Sequence, residues 1–238
     1  MKTADVIIVG SGASGLFNAL FLPQDYKVIV ITKKEVEESD SFLAQGGISA
    51  LKNPEDYDSY FEDTMKAGHY ENDKGAVEKM IKESPQIIQD LKDFGVRFDL
   101  KDGEIEFTRE GGHSTFRILH HEDLTGKEIT SHLYEEAKKR DNITIMENCT
   151  MIDIIEKDGE CKGIVYKDAD GNLDTIEAPD TVLATGGLGG LFKHSTNFRH
   201  LTADSLAVCL RHNVELENIN YIPVSYTHLR AHETLANL

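Results

Sequence analysis

The sequence predicts an α/β fold in which a parallel sheet carries an antiparallel β-meander and an inserted helical segment. Three observations lead to this prediction. A strand-like run, a glycine-rich turn, a helical pattern and a second strand-like run follow one another over residues 5–31, an order typical of a parallel βαβ unit. Helical patterns fill residues 53–95. Between residues 150 and 178, strand-like runs alternate with Asp-Gly pairs, which are hairpin signals.

The βαβ unit opens the chain. Asp5–Val9 is a short apolar run of the buried-strand type, and Leu16–Leu22 has a helical apolar pattern that Pro23 ends. Val28–Ile31 is the second buried strand. The polar, glycine-containing connection over residues 33–51 is longer than ordinary loops, which favours a binding loop.

The helical segment is expected to contain two or three helices. Ser84 is predicted to cap one of them, with Pro85 at its first position, and Gly95 to end it. Acidic residues at the start of the segment, such as Asp56, are expected on a solvated face near the positive end of a helix dipole.

The second half of the chain returns to the sheet. A helix is predicted over Thr125–Lys139 and a strand over Ile143–Met146, followed by the meander of residues 150–178. Thr181–Ala184 reads as another buried strand, and Thr202–His212 as a helix.

Composition narrows the class of protein. The chain has 238 residues, of which 39% are hydrophobic and 28% charged, as expected for a globular protein. A net charge of −17 argues against a nucleic acid as partner. No apolar run approaches the roughly 18 residues of a membrane span. Three scattered cysteines and a start without room for a signal peptide favour a reducing, cytoplasmic location.

The glycine turn indicates a Rossmann-type nucleotide site. The spacing of Gly10, Gly12 and Gly15 suits a tight turn, a close approach of the backbone to a pyrophosphate, and close packing of helix on strand. Thr32 and Lys33 stand where an acidic residue would bind the ribose. Two interpretations stay open: the ribose has no such contact, or these two residues contact the adenosine part.

Four motifs together resemble one protein family. Gly10–Gly15, Ser39–Gly47, Thr108–Ser114 and Ala184–Gly187 have the order and spacing of the FAD-dependent succinate dehydrogenase, fumarate reductase and L-aspartate oxidase flavoproteins. The third motif contains a glutamate, as in the L-aspartate oxidase branch, where the dehydrogenases usually have Phe-Gly-Gly. Asp40 occupies the position of the histidine that carries flavin covalently in the membrane-bound members, so the resemblance implies non-covalent FAD.

The resemblance also implies site residues. Glu110 would orient the α-amino group of the substrate, and His113 and Ser114 would hydrogen-bond near substrate or flavin, while His120 is equally well a structural histidine. No metal site is expected, since neither His120-His121 nor His228 with His232 has further ligands at a suitable spacing. The implied FAD-binding residues are Gly10, Ser11, Gly12, Ala13, Ser14, Gly15, Lys33, Asp40, Ser41, Phe42, Leu43, Ala44, Gln45, Gly46, Gly47, Thr185, Gly186, Gly187 and Asp204, the last beside Ala203 where the family usually has glycine.

The implied activity is oxidation of L-aspartate to iminoaspartate, with hydride passing from Cα to flavin N5 and reoxidation by oxygen or fumarate. This reaction opens NAD biosynthesis through quinolinate, with quinolinate synthase as the downstream partner. One alternative is a soluble fumarate reductase or succinate dehydrogenase-like flavoprotein. Another is a non-catalytic, truncated FAD-binding fragment.

The resemblance covers only part of the family's length. Residues 1–222 are expected to form the FAD-binding domain, and the capping and C-terminal helical domains to be absent, so that the chain is truncated and inactive alone. Residues 223–238 match nothing in the family and read as a non-family tail. One interpretation is an artefact in which adapter sequence has been translated.

Overall fold

The computed structural model describes residues 2–221; the predicted tail, with His228 and His232, lies outside the described residues. The strands are β1 (Lys2–Thr3), β2 (Val6–Val9), β3 (Val28–Ile31), β4 (Ile48–Ser49), β5 (Leu100–Lys101), β6 (Glu104–Ile105), β7 (Phe107–Thr108), β8 (Ile118–Leu119), β9 (Ile143–Met146), β10 (Thr150–Lys157), β11 (Glu160–Lys167), β12 (Leu173–Glu177) and β13 (Asp180–Leu183). The α-helices are α1 (Ala13–Phe21), α2 (Asp40–Leu43), α3 (Tyr57–Ala67), α4 (Lys74–Asp93), α5 (Thr125–Lys138) and α6 (Asp204–Arg211). Within residues 2–221, no helix is both long and apolar enough to cross a membrane.

The chain divides into two compact units. Among the described residues, unit 1 contains residues 2–40 and 140–221, and unit 2 contains residues 41–139. Unit 1 is built on a parallel sheet of strand order β13-β2-β3-β9. Every residue of β2 and β3 is buried, as expected for a parallel sheet covered on both faces. The predicted α/β class, with its parallel sheet, is confirmed.

The meander forms a second sheet in unit 1, of order β1-β12-β11-β10. Strands β10, β11 and β12 are antiparallel neighbours, as predicted. The two Asp-Gly pairs make the hairpin turns, with Gly159 at φ 80° and Gly171 at φ 89°. Ile164, Tyr166 and Ile176 of the meander are buried in one hydrophobic cluster with residues of β2 and β3. The two sheets of unit 1 therefore share a core.

The opposite face of the parallel sheet packs against α1. Val6, Ile8, Val28 and Val30 form a buried cluster with Ala19 of this helix. The alternate residues of β2 and β3 thus serve two different cores, because successive side chains of a strand point to opposite faces. This packing fixes the turn between β2 and α1 at the carboxyl edge of the sheet.

Unit 2 is mainly helical. Helices α3 and α4 share a buried cluster of Tyr60, Met65, Val77 and Ile81. A small antiparallel sheet of order β4-β8-β7 and the hairpin β5-β6 complete its strands. The predicted helical segment is therefore present, although it begins with a 3-10 turn at Pro54–Asp56.

The predicted helix start at Ser84 and Pro85 is wrong. Helix α4 begins at Lys74, where the side chain of Asp73 caps it by accepting from the Ala76 N–H, and runs through Pro85 without a break. Proline has no N–H to donate to the carbonyl four residues before it, which here belongs to Ile81. The Ser84 hydroxyl donates to that carbonyl instead, at 2.7 Å. Ser84, which was predicted to be an N-cap, therefore supplies the hydrogen bond that Pro85 cannot make inside the helix.

Candidate functional site

Glycine is required at Gly10, in the turn between β2 and α1, and at Gly15, in the first turn of α1. Gly10 has φ 116°, and a Cβ there would lie 2.1 Å from the Ala184 carbonyl oxygen. A Cβ on Gly15 would lie 2.0 Å from the Gly10 carbonyl oxygen. A side chain at either position would therefore push apart β2, β13 and α1.

The N-terminus of α1 is suited to an anion. Gly12 is its N-cap, no side chain caps it, and its first turn contains no acidic residue. Its first backbone N–H groups have no partner within the helix, and the helix dipole adds positive potential. Ser11 is buried beside this turn and donates its hydroxyl hydrogen to Thr32 Oγ1 at 2.8 Å. The Thr32 hydroxyl, one candidate for an adenosine contact, is therefore already bonded within the protein.

Lys33 and Asp204, both predicted at the site, meet in unit 1. The Lys33 ammonium donates to the His200 carbonyl and to Thr202 Oγ1, each at 2.9 Å, and to Asp204 Oδ2 at 2.8 Å. All three ammonium hydrogens are thus engaged. Ala203 has φ 57°, a left-handed conformation that favours glycine. This explains why a glycine is usual at that position in the resembling family.

Two further predicted segments lie in unit 1. After β13, Gly186 has φ 71°, and a Cβ on Gly187 would meet no atom within 4 Å. The hydroxyls of Thr185 and Ser205 are hydrogen-bonded to each other. The Gly187 backbone therefore borders open space where a ligand could lie against it.

Asp40 is held by the protein. Its carboxylate accepts from the side-chain amide of Asn197 and, at 3.1 Å, from the backbone N–H of Phe198. An ionised carboxylate only accepts hydrogen bonds, so these contacts suit Asp40 as an anion. They lie within unit 1, on the chain segment that follows β13.

In unit 2, Gly46 and Gly47 of the predicted 41–47 segment lie against Glu110. The Gly47 N–H donates to Glu110 Oε1 at 2.8 Å, and a Cβ on Gly46 would lie 3.4 Å from Glu110 Oε2. A Cβ on Gly47 would lie 2.4 Å from the Leu119 carbonyl oxygen. The glycines therefore let the backbone approach both the carboxylate and β8.

The same loop is held from its other end by α5. The Gly126 N–H donates to the Ala44 carbonyl at 2.9 Å, and a Cβ on Gly126 would lie 2.1 Å from the Ser41 carbonyl oxygen. The Lys127 ammonium lies 5.7 Å from the centre of the Phe42 ring, and Leu43 is exposed. The loop is thus fixed at Ala44 and Gly47, on either side of Gln45.

Glu110 borders a cavity of about 580 Å³ in unit 2. Its lining residues are Gln45, Gly46, Gly47, Thr108, Glu110, His120, Glu122 and Asp123. Three of these lining residues are acidic and none is Lys or Arg. The cavity therefore favours a cationic group over an anionic one. Among residues 2–221, no group of His, Cys, Asp and Glu side chains is arranged to hold a metal ion.

His113 and Ser114 are held by residues that the sequence analysis did not single out for a role. Ser114 donates both its backbone N–H and its hydroxyl to Asp63 Oδ2, at 2.7 and 2.8 Å. Arg117, which is fully buried, bonds Asp63 and lies 3.1 Å from His113 Nδ1. Arg117 follows the Thr108–Ser114 motif by three residues, and its position in the sequence gave no sign of burial because arginine is usually exposed.

The prediction that Asp56 lies on a solvated face is wrong. It is buried, and its two carboxylate oxygens accept from Arg117 Nε at 2.9 Å and Nη2 at 2.8 Å. The hydrogen bonds from Arg117 hold the pKa of the Asp56 carboxyl far below its usual value. Burial alone would raise the pKa of Asp63, but hydrogen bonds from Arg117 and Ser114 outweigh it and lower that pKa. The two carboxylates compensate the buried guanidinium.

His120 keeps both of its interpretations. Its Nδ1 lies 3.1 Å from Asp99 Oδ2, an arrangement common for structural histidines. Yet it lines the cavity beside Glu110, and its buried Nε2 has no hydrogen-bond partner in the structure.

Comparison with known proteins decides the family. The family described as "FAD binding domain" matches residues 5–237. The chain belongs to this FAD-binding family. It is similar to the L-aspartate oxidases of Clostridium perfringens, 43% identical over 95% of this chain and 51% of that protein, and Clostridium acetobutylicum, 46% identical over 92% and 50%. The chain thus spans about half the length of these curated relatives.

Solved structures agree with the fold. Mycobacterium smegmatis Sdh1 in complex with UQ1 is 31% identical, with a TM-score of 0.80 over 89% of this chain and 39% of that one. A variant of E. coli quinol fumarate reductase FrdA is 28% identical, with a TM-score of 0.85 over 89% and 38%. The resemblance to this group of flavoproteins is therefore confirmed.

The residues of this FAD-binding protein fit the cofactor. The uncapped N-terminus of α1 offers N–H donors to a pyrophosphate, and the open space at Gly187 leaves room for a second contact. The individual assignments of residues to parts of FAD stay predictions.

Proposed function

We propose that this chain belongs to an L-aspartate oxidase that converts L-aspartate to iminoaspartate. The observation that carries the proposal is Glu110, held at the wall of an acid-lined cavity by the Gly47 N–H. L-Aspartate has an ammonium group, which such a cavity favours, whereas succinate and fumarate have none. The two Clostridium relatives named L-aspartate oxidase support the same substrate.

The residues of the chain would bind and orient the substrate. When bound, FAD would supply the redox chemistry, as a hydride acceptor for the substrate Cα–H and an electron donor to oxygen or fumarate. Glu110 would accept a charge-assisted hydrogen bond from the α-ammonium and so fix the orientation of Cα. With Asp40 in place of a flavin-carrying histidine, the FAD would be non-covalent. The product would be passed to a quinolinate synthase for NAD biosynthesis, in the cytoplasm.

The test is a spectrum and two assays. FAD-loaded protein that contains this chain within the full length of its relatives should show a flavin spectrum and an aspartate-dependent release of peroxide, whereas the 238-residue chain alone is tested for the flavin spectrum. Glu110→Gln should raise KM for aspartate by about 10- to 100-fold, because a hydrogen bond to a charged group is worth about 1.5–3 kcal/mol. Its effect on fumarate reduction should be much smaller. Glu104→Gln, on an exposed residue of β6, is the matched control and should change neither assay.

Two outcomes would favour other functions. If Glu110→Gln weakens fumarate reduction as much as aspartate oxidation, a soluble fumarate reductase is the better reading, in line with the similarity to E. coli quinol fumarate reductase. If the protein binds FAD but turns over neither substrate, it is a non-catalytic FAD-binding fragment, in line with its span of about half its relatives.

A further inference from the structure

Arg117 makes one hydrogen bond with each of its five N–H groups. Nε donates to Asp56 Oδ2 at 2.9 Å, and Nη2 donates to Asp56 Oδ1 and Ser59 Oγ, each at 2.8 Å. Nη1 donates to Asp63 Oδ2 at 2.6 Å, and its second hydrogen faces His113 Nδ1 at 3.1 Å. Every donor of this buried arginine therefore has a partner, and the last partner, His113, is the one whose ordinary pKa lies near neutral pH.

We propose that Arg117 is a positioning residue that holds His113 as the neutral tautomer with its proton on Nε2. A guanidinium has five donors and no acceptor. At 3.1 Å, therefore, His113 Nδ1 has to be the unprotonated acceptor. The imidazolium would bring two N–H groups face to face. His113 then offers Nε2–H as a donor for a carboxylate or carbonyl oxygen, and its Nδ1 is unavailable as a base.

The surrounding charges agree with a neutral imidazole. Burial lowers the pKa of His113, and the charge of Arg117 lowers it further. Asp63, Glu110 and Asp56 act in the opposite direction, and less strongly. The Tyr60 ring packs against the imidazole, with centroids 6.2 Å apart. Arg117 and Asp63 therefore act on His113 with opposite signs.

The tautomer of His113 and the opposite effects of Arg117 and Asp63 on its pKa can both be measured by NMR. In ¹⁵N-labelled full-length protein, two-bond ¹H–¹⁵N spectra should show His113 with Nδ1 unprotonated, its signals assigned by their loss in His113→Gln. Arg117→Gln should raise the measured pKa of His113 by about one unit, and Asp63→Asn should lower it, as expected for charges at this range. The two shifts report the charges of Arg117 and Asp63, and the tautomer is the readout that a merely structural role would not move.

Controls keep the test decisive. Arg109→Gln removes another arginine of the same loop, whose guanidinium lies over Phe116, and should leave the His113 pKa unchanged. Should Arg117→Gln not fold, Arg117→Lys keeps the charge but not the five-donor geometry and should give a mixture of His113 tautomers. A protonated Nδ1 in the wild type, or shifts of the same sign in the two charge variants, would overturn the inference.

The use of the His113 Nε2–H as a donor to a substrate oxygen rests on the proposed function. The NMR measurement of the tautomer does not. The spectra need neither FAD nor turnover. A protein that fails to oxidise aspartate while His113 shows the Nε2–H tautomer would contradict the proposed function alone.

Discussion

Arg117 shows how one residue can organise a site without lining it. It is fully buried between Asp56 and Asp63, and it connects helix α3 to the loop that carries Glu110. Removing one partner of such a cluster leaves an uncompensated buried charge, which costs far more than a surface ion pair is worth. The residues around Glu110 therefore depend on a charge cluster outside the cavity itself.

The cluster should make the protein sensitive to acid. The folded-state pKa of Asp56 is depressed by Arg117, so its stabilisation is complete above the unfolded-state pKa of about 3.9 and is lost as pH falls through the folded-state value. Asp56→Asn should lower the free energy of unfolding at pH 7 by about 3 kcal/mol and flatten its decline between about pH 4 and 2. Urea unfolding at several pH values measures both effects.

Asp58→Asn is the control for this experiment. Asp58 is exposed and lies in the first turn of α3, two residues after Asp56, and its replacement should leave the pH dependence unchanged. If the free energy of unfolding of Asp56→Asn fell with pH in parallel with that of the wild type, the Asp56–Arg117 ion pair would not be the cause of the acid sensitivity.

At the scale of elements, α4 departs most from expectation. A proline in a helix interior removes a hydrogen bond and usually kinks or ends the helix. In α4 the Ser84 hydroxyl replaces the missing donor to Ile81 and also accepts from the Leu51 N–H at 2.9 Å. One buried hydroxyl thus joins the helix to the chain before α3.

Ser84→Ala should therefore destabilise the protein by about 1–3 kcal/mol, because the Ile81 carbonyl and the Leu51 N–H lose a buried partner. Adding Pro85→Ala should recover part of the loss, since alanine supplies a backbone N–H to the Ile81 carbonyl. Chemical denaturation of the single and double variants measures this coupling. Lys79→Ala, on an exposed side chain of α4, is the control. Strictly additive effects would argue against the repair.

At the scale of the whole molecule, the two units contribute different halves of the predicted chemistry. Unit 1 contains the glycine turn, the Lys33–Asp204 pair and the open backbone at Gly187. Unit 2 contains Glu110 with its cavity and the Arg117 cluster. The net charge of −17 is compatible with binding an anionic cofactor because α1 presents its N–H groups locally.

FAD should stabilise the folded protein by mass action. At a free concentration of 100 times Kd, the gain is about 2.7 kcal/mol and appears as a higher Tm in thermal unfolding. Gly187→Val should fold normally, since its Cβ meets no atom within 4 Å, and yet lose this gain by filling the space beside the backbone. Leu173→Ser, on an exposed residue of β12, should keep it. An undiminished gain in Gly187→Val would remove that glycine from the cofactor site.

The sequence alone predicted the parts of this protein that local pattern determines. The βαβ order, the glycine turn and the Asp-Gly hairpins depend on residues close together in the chain, where backbone conformation and alternation of apolar residues dominate. The motif around Glu110 was equally visible. These signals were sufficient for the fold class, the family and the cofactor.

Tertiary structure decided which distant side chains meet. The burial of Asp56, the hydrogen bonds of the five Arg117 donors and the pairing of Lys33 with Asp204 all depend on contacts between residues far apart in the chain. The sequence around a charged residue does not show whether its side chain faces water or a buried partner. Packing in the tertiary structure removes water from such a group, and a buried charge without water must be paired because leaving it unpaired is costly.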